Sequence, residues 1–231
     1  MKKIISSNKI SRLVRCKRSI KLMIRITLQR FTSSSPIIWR IPGKLSQVAI
    51  TFDDGPTDYT PAILDVLAAN QIHATFFLLG QWVDMRPAMV TRMVREGHEI
   101  GIHGYDHTFV KFTRQVHRCA RDITAFGITT RILRPPCGTI RFLPTLRLWL
   151  QGYRTVLFDV DTHDSMRYEG KWPDVSVDFS KISGGSIIMM HDDNPYCIED
   201  LHVLVKILKE MNLTPVTVGE LLSFKGTLTG G

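Results

Sequence analysis

The chain has 231 residues, 44% of them hydrophobic and 22% charged, which is enough for one domain with a core of its own and too little for two large ones. It holds no apolar run of about 18 or more residues, which argues against a membrane-spanning helix and for a soluble globular protein. The net charge of +9 is uneven: 12 of the 30 Lys and Arg lie at or before Lys44, the first acid is Asp53, and the remainder carries 18 basic against 21 acidic residues, so the body is not a nucleic-acid binder by charge.

Residues 1–45 read as a basic N-terminal extension, acid-free and closing on the breaker-rich Ser33-Ser34-Ser35-Pro36. Its apolar residues are interrupted by Lys21 and Arg25, so no secretory leader of ordinary form is read. Three readings stand: an organelle address read by import machinery, a contact with an anionic membrane, and a disordered extension. A cytoplasmic or organelle-targeted protein is expected rather than a secreted one. The four cysteines show no Cys-x-x-Cys spacing, so neither a disulfide scaffold nor a thiolate zinc site is indicated.

From residue 46 to 231 strand and helix patterns alternate. Strands are expected near 48–52, 74–79, 99–103, 130–134, 154–160, 185–190 and 215–218. Helices are expected from Thr60-Pro61 onward and near 86–97, 112–126, 142–152, 174–182 and 198–211. The run Ala74-Thr75-Phe76-Phe77-Leu78-Leu79 is what a strand buried on both faces requires. Seven such units predict a parallel sheet, and an α/β fold closed or nearly closed into a (β/α) barrel is favoured over an open doubly wound sheet, with the active site at the C-terminal strand ends.

Polar residues gather at those strand ends. In Thr51-Phe52-Asp53-Asp54-Gly55-Pro56 two adjacent carboxylates repel each other unless they share a cation or a proton. His103-Gly104-Tyr105-Asp106-His107 brings two imidazoles four residues apart, and two His with one carboxylate leave the open positions a catalytic metal needs. In Arg134-Pro135-Pro136-Cys137-Gly138 the prolines stiffen the loop, so that a backbone N–H such as that of Cys137 is held as an oxyanion donor while Arg134 keeps a carboxylate ionised. Asp161-Thr162-His163-Asp164 and the apolar run into His191-Asp192 add a carboxylate and an imidazole suited to act as an acid.

Taken in order, these five motifs resemble the polysaccharide deacetylase family, carbohydrate esterase family 4, whose domain is named after the nodulation chitooligosaccharide deacetylase; the resemblance covers about residues 46–222. It implies a distorted (β/α) barrel and metal-dependent removal of N-acetyl groups from N-acetylglucosamine-containing glycans. The metal is zinc, with cobalt or another divalent ion as alternatives. Asp53 matches the catalytic base, Asp54, His103 and His107 the metal triad, and Arg134 the residue that orients the base. Cys137 matches the oxyanion donor, His191 the catalytic acid and Asp164 its tuning carboxylate. Met189 stands where a leucine usually lines the acetyl pocket. Losing Asp53 or His191 is expected to cost about 10²–10⁴ in rate.

Three positions depart from the family pattern: Gly104 replaces Ser or Thr, Cys137 an aromatic, and Ser165 the tryptophan of the substrate groove. The first predicts a looser metal loop, and the last weakens the case for a long glycan. Tyr105 is taken as a substrate-side residue; it, Trp82, Phe109 and Tyr196 read either as aromatics that compensate or as ordinary packing. The alternatives are an amidase acting on a non-sugar C–N bond and a glycan-binding pseudoenzyme. Retention of Asp53, all three ligands and His191 favours an enzyme.

Overall fold

The computed structural model describes residues 35–43, 45–172 and 177–227. Among these residues nine strands form one sheet: β1 Ile37–Ile38, β2 Gln47–Asp53, β3 Thr75–Leu79, β4 Glu99–Gly104, β5 Ile132–Leu133, β6 Arg154–Val156, β7 Val160–Asp161, β8 Ile187–His191 and β9 Thr214–Val216. Every strand pair is parallel, in the order β1-β6-β5-β4-β3-β2-β8-β7, with β9 beside the first half of β2. The stretch 154–161 pairs with β5 through its β6 part and with β8 through its β7 part, so one run of chain joins the two sides of the ladder. This is the barrel that the alternation predicts, distorted as the family resemblance implies. The seven expected strands are all present, the fifth broken into β6 and β7.

Strand periodicity explains where the chemistry lies. In β2, Val48, Ile50 and Phe52 pack in the main core, while Ala49 joins the smaller cluster with Phe77, Ile132, Val156 and Ile187. One face of β2 thus reads Ala49, Thr51, Asp53, and the same face of β8, paired in register, reads Ile187, Met189, His191. Both turn from apolar to ionisable toward the C-terminal end. Gly101 of β4 leaves the space that Phe77 fills, since a Cβ there would lie 2.5 Å from its ring. Val218 and Leu221 of helix Val218–Thr227 belong to this smaller cluster at the opposite end.

The boundary at residue 46 moves back. Ile37 and Ile38 pair with Thr155 and Val156, Ile41 is buried, and Arg40 reaches Asp159 at 3.4 Å and bridges Ser186, so the body begins by Ser35. A strand this short, set among basic residues, carries no periodicity of its own; the free edge of β6 makes it one. Residues 1–34, to which the three readings of the extension apply, lie outside the described residues. The helix expected at 174–182 is also corrected: residues 173–176 lie outside the described residues, and the stretch after them holds a single 3₁₀ turn, Phe179–Lys181, capped by the Asp178 carboxylate. In its place a short helix, Asp164–Tyr168, follows the fourth motif.

Candidate active site

The C-terminal strand ends open into a cleft of about 630 Å³ whose floor includes Asp53, Asp54, His103 and His191. Asp54, His103 and His107 each offer a ligand atom, all within 4.8 Å of one another. Asp54 Oδ1 lies 3.4 Å from Nε2 of both histidines, is buried, and has no hydrogen-bond partner. His103 donates its Nδ1–H to the Arg134 carbonyl at 2.8 Å, which turns the Nε2 lone pair toward Asp54. An orphaned carboxylate oxygen between two imidazole nitrogens costs free energy unless a cation is shared, so these residues fit a divalent metal. Burial also holds the His103 pKa below its ordinary value, against the pull of Asp53 and Asp54, which favours the neutral, ligating form.

Asp53 is clamped beside this triad by Arg134. The guanidinium is wholly buried and donates to Asp53 Oδ1 and Thr51 Oγ1, each at 2.8 Å, and to the carbonyls of Val156 and Leu157 at 3.2 and 3.1 Å. Four acceptors fix it, and its face lies 4.3 Å from the centre of the Phe77 ring. Asp53 is thereby oriented while its Oδ2 faces His103 at 3.9 Å.

On the other side, His191 Nδ1 is bound to Asp164 Oδ1 at 2.8 Å and its backbone N–H to Oδ2 at 2.8 Å; Asn194 and Thr162 hold the same carboxylate. Burial alone would lower the His191 pKa, but the bonded and charged Asp164, helped by Asp53 and Asp54, pushes it up to about 10. It is imidazolium at neutral pH, with Nε2–H left to the cleft where His191 lies. Asp164 is held below the usual carboxylate range: burial opposes this, and the His191 bonds overcome it.

Four non-glycine residues at this mouth take left-handed backbone: Asp54 (φ 76°), His107 (58°), Cys137 (53°) and His163 (58°). Cys137 sits in the turn Pro136–Gly138, where Gly138 and Thr139 N–H close on the Pro135 and Pro136 carbonyls, and it lines the cleft with Met189.

Tyr105 is the one predicted site residue that the structure removes. It does not line the cleft; its ring lies under the Arg118 guanidinium, 3.4 Å from ring centre to Cζ, and its hydroxyl faces Asp84. A residue two after His103 points out of the turn rather than into it. Phe109, stacked on Phe112, and Tyr196, against Arg167, likewise serve packing. Trp82 does line the cleft, as do Tyr59, Phe158 and Ser165.

Two site residues escape the sequence reading. Gln115 accepts from the N–H groups of Tyr105 and Asp106 (2.9 and 3.2 Å) and donates to Thr108 and the Val110 carbonyl (2.9 and 2.8 Å), locking the loop between the two histidines. This corrects the expectation that Gly104 loosens the loop: Gly104 has φ 102°, and a Cβ there would meet Gln115 Oε1 at 3.3 Å. The second is Asp192, buried beneath Gly55, where any side chain would collide with its carboxylate at 2.0 Å; it accepts from Thr60 Oγ1 at 2.8 Å, and burial raises its pKa well above the ordinary value. Gln115 lies on the helix after its motif and Asp192 is hidden behind His191, so neither carries a local signal.

Comparison with known proteins gives a consistent set of relatives. The family described as "Polysaccharide deacetylase" matches residues 40–154. A chitin deacetylase from Pestalotiopsis sp. is 36% identical over 193 residues, covering 75% of this chain and 63% of that protein. A peptidoglycan-N-acetylglucosamine deacetylase from Bacillus cereus is 31% identical over 205 residues, covering 82% of this chain and 94% of the other. A solved peptidoglycan N-acetylglucosamine deacetylase superposes with a TM-score of 0.71 at 29% identity, covering 80% of this chain and 92% of that one. The chain thus spans nearly the whole Bacillus protein and less than two thirds of the fungal one.

Proposed function

The chain belongs to the polysaccharide deacetylase family, and from that premise we propose that it hydrolyses the N-acetyl amide of N-acetylglucosamine units in oligo- or polysaccharides, with zinc as its metal. The observation that carries this reading is the placing of three devices in one cleft: the Asp54–His103–His107 triad with its orphaned oxygen, a base clamped by Arg134, and an imidazolium clamped by Asp164.

A divalent cation held by Asp54, His103 and His107 supplies Lewis acidity to a water and to the acetyl carbonyl oxygen. Asp53, aimed by the buried Arg134, takes the proton from the attacking water. The Cys137 N–H, in a turn stiffened by two prolines, faces the negative charge that develops on the carbonyl oxygen. His191 gives its Nε2 proton to the departing amine, and Asp164 steadies the imidazolium until that transfer. Met189, nearly buried yet open to the cleft, lines the space for the acetyl methyl. Trp82 and Tyr59, which line the cleft, offer the flat apolar surfaces that a sugar ring packs against.

The test is acetate release from N-acetylglucosamine oligomers of graded length by the full chain, metal-stripped and then reloaded with zinc or cobalt. Release restored by zinc and rising with oligomer length is expected. Stoichiometric metal binding without release would direct the reading to a small non-sugar amide, for which the ring-free Ser165 wall has room. Failure to bind metal would leave a pseudoenzyme.

A further inference from the structure

Helix Phe142–Leu150, which leads from the Pro136–Gly138 turn to β6, has its apolar stripe on the outside. Phe142, Leu143, Leu146, Trp149 and Leu150 recur at the spacing that gathers them on one helical face. Yet the buried member of the helix is Leu148, which that spacing places on the opposite face. Phe142, Leu143 and Leu150 are 76%, 61% and 72% exposed, and Trp149 is 40% exposed. An amphipathic helix that turns its apolar face from its own core is built to bury that face elsewhere.

The charge around it is equally one-sided. Between residues 107 and 158 the chain has nine Lys and Arg, eight of them besides the Arg134 buried against Asp53, and a single acid, Asp122, whereas the rest of the body from residue 45 has nine basic and 20 acidic residues. The one acid is turned away, its Oδ2 3.2 Å from where a Cβ on Gly80 would stand. Helix Phe112–Thr124 lies alongside, joined through His117 to Gln151 at 2.6 Å, and Arg114 and Arg121 share that side of it by helical spacing. Arg141 and Arg147 border the stripe itself, Arg141 held over the Phe109 ring at 4.5 Å.

We infer that this face docks the protein on an anionic lipid bilayer, with the five apolar side chains entering the headgroup boundary and the arginines meeting lipid phosphates. The surface is a convex helix rather than a groove, it carries an indole, and its rim is cationic, the three features of an interfacial helix. A second copy docking face to face would bring two strongly basic patches together, which charge repulsion opposes. Residues 1–34 add ten Lys and Arg and no acid to the chain.

The experiment is flotation of the full chain with vesicles of phosphatidylglycerol and phosphatidylcholine, and of phosphatidylcholine alone, with quenching of tryptophan fluorescence by acyl-brominated lipid. Binding to the anionic vesicles is expected, weakening with salt, with a quenching component that Trp149→Phe removes. The triple change Phe142→Ser, Leu143→Ser and Leu150→Ser, at positions too exposed to disturb the fold, should lower partitioning on the order of a hundredfold at unchanged melting temperature. Binding that survives the triple change, or shows no Trp149 component, would mean that the basic N-terminal segment alone holds the vesicle, and would overturn the proposal. So would absence of vesicle binding, or self-association in solution that the triple change abolishes.

Discussion

The two ends of the barrel put their buried polar groups to different uses. At the N-terminal end, Glu99 Oε2 accepts from Thr75 Oγ1 at 2.7 Å and from Gly219 N–H at 3.0 Å, and Thr75 Oγ1 accepts from Val218 N–H at 2.9 Å, so the start of helix Val218–Thr227 closes the network. Beside it His98, which burial pushes down to about 4, is neutral and accepts from Ala74 N–H. At the C-terminal end, Asp54 and Asp192 each keep a buried oxygen without a partner, and four non-glycine residues take left-handed backbone. The first end closes a network that holds the fold, although Glu96 Oε2 there also lacks a partner and Gln71 and Asn212 are left-handed; the second leaves its unpartnered oxygens beside the cleft, where the proposed chemistry sits.

The largest effect comes from relieving that frustration. Asp54→Asn removes a charge crowded against Asp53 and tolerates φ 76° well, so the metal-free variant should melt no lower than the parent. The same change should abolish stoichiometric zinc binding and take acetate release to background. Calorimetry and elemental analysis on one preparation read both; a variant that loses stability together with metal would deny that the site is frustrated without its cation.

Gln115→Leu ranks second. It unties four bonds in the loop between the two histidines without touching a ligand. It should cost about 1–3 kcal/mol of stability and weaken zinc affinity about 10–100-fold, while turnover at saturating zinc stays close to the parent. A fall in turnover that zinc does not restore would place Gln115 in the chemistry instead.

How legible each end is depends on the range of the interactions that build it. The catalytic end is largely readable in the sequence, because its ligands and acids sit at the ends of apolar strands and come in local sets: Asp53 with Asp54, His103 with His107, Asp161 with Asp164. Residues that act across the fold are not. Gln115 works from the next helix, Thr60 and Asp192 meet only because β2 and β8 pair, and Tyr105, adjacent to the ligands in sequence, points outward. Seven strands show through their apolar runs, whereas β1 is two residues made into a strand by the edge it joins. The Glu99–Thr75–Gly219 network has no sequence signal, since a Thr and a Glu at two strand starts look like ordinary solvent-facing residues.

The His191–Asp164 pair gives a smaller, pH-dependent effect. His191 is raised on folding, so its contribution to stability is complete below its unfolded value near about 6.5 and is lost as pH rises through about 10. The depressed Asp164 contributes the reverse, lost as the medium turns acid. In the proposed mechanism His191 is protonated to serve the leaving amine, so Asp164→Asn should move the alkaline limb of kcat toward lower pH by about 1–3 units. An unmoved limb would assign that ionisation to another group.

The smallest effect on activity, and the sharpest control, lies at the N-terminal end. Thr75→Val keeps the shape of a buried side chain but removes the hydroxyl that joins Glu99 to Val218 N–H. Burial already raises the Glu99 pKa, and Thr75 is among the bonds that hold it down. The variant leaves a carboxylate short of a donor and a helix N–H short of an acceptor, a loss of about 1–3 kcal/mol in chemical denaturation. Zinc stoichiometry and kcat of the folded fraction should be unchanged, since the network lies at the strand starts and the cleft at the strand ends. If kcat falls as well, the two ends are coupled through β3 and β4, and the division of labour between a networked base and a frustrated mouth does not hold.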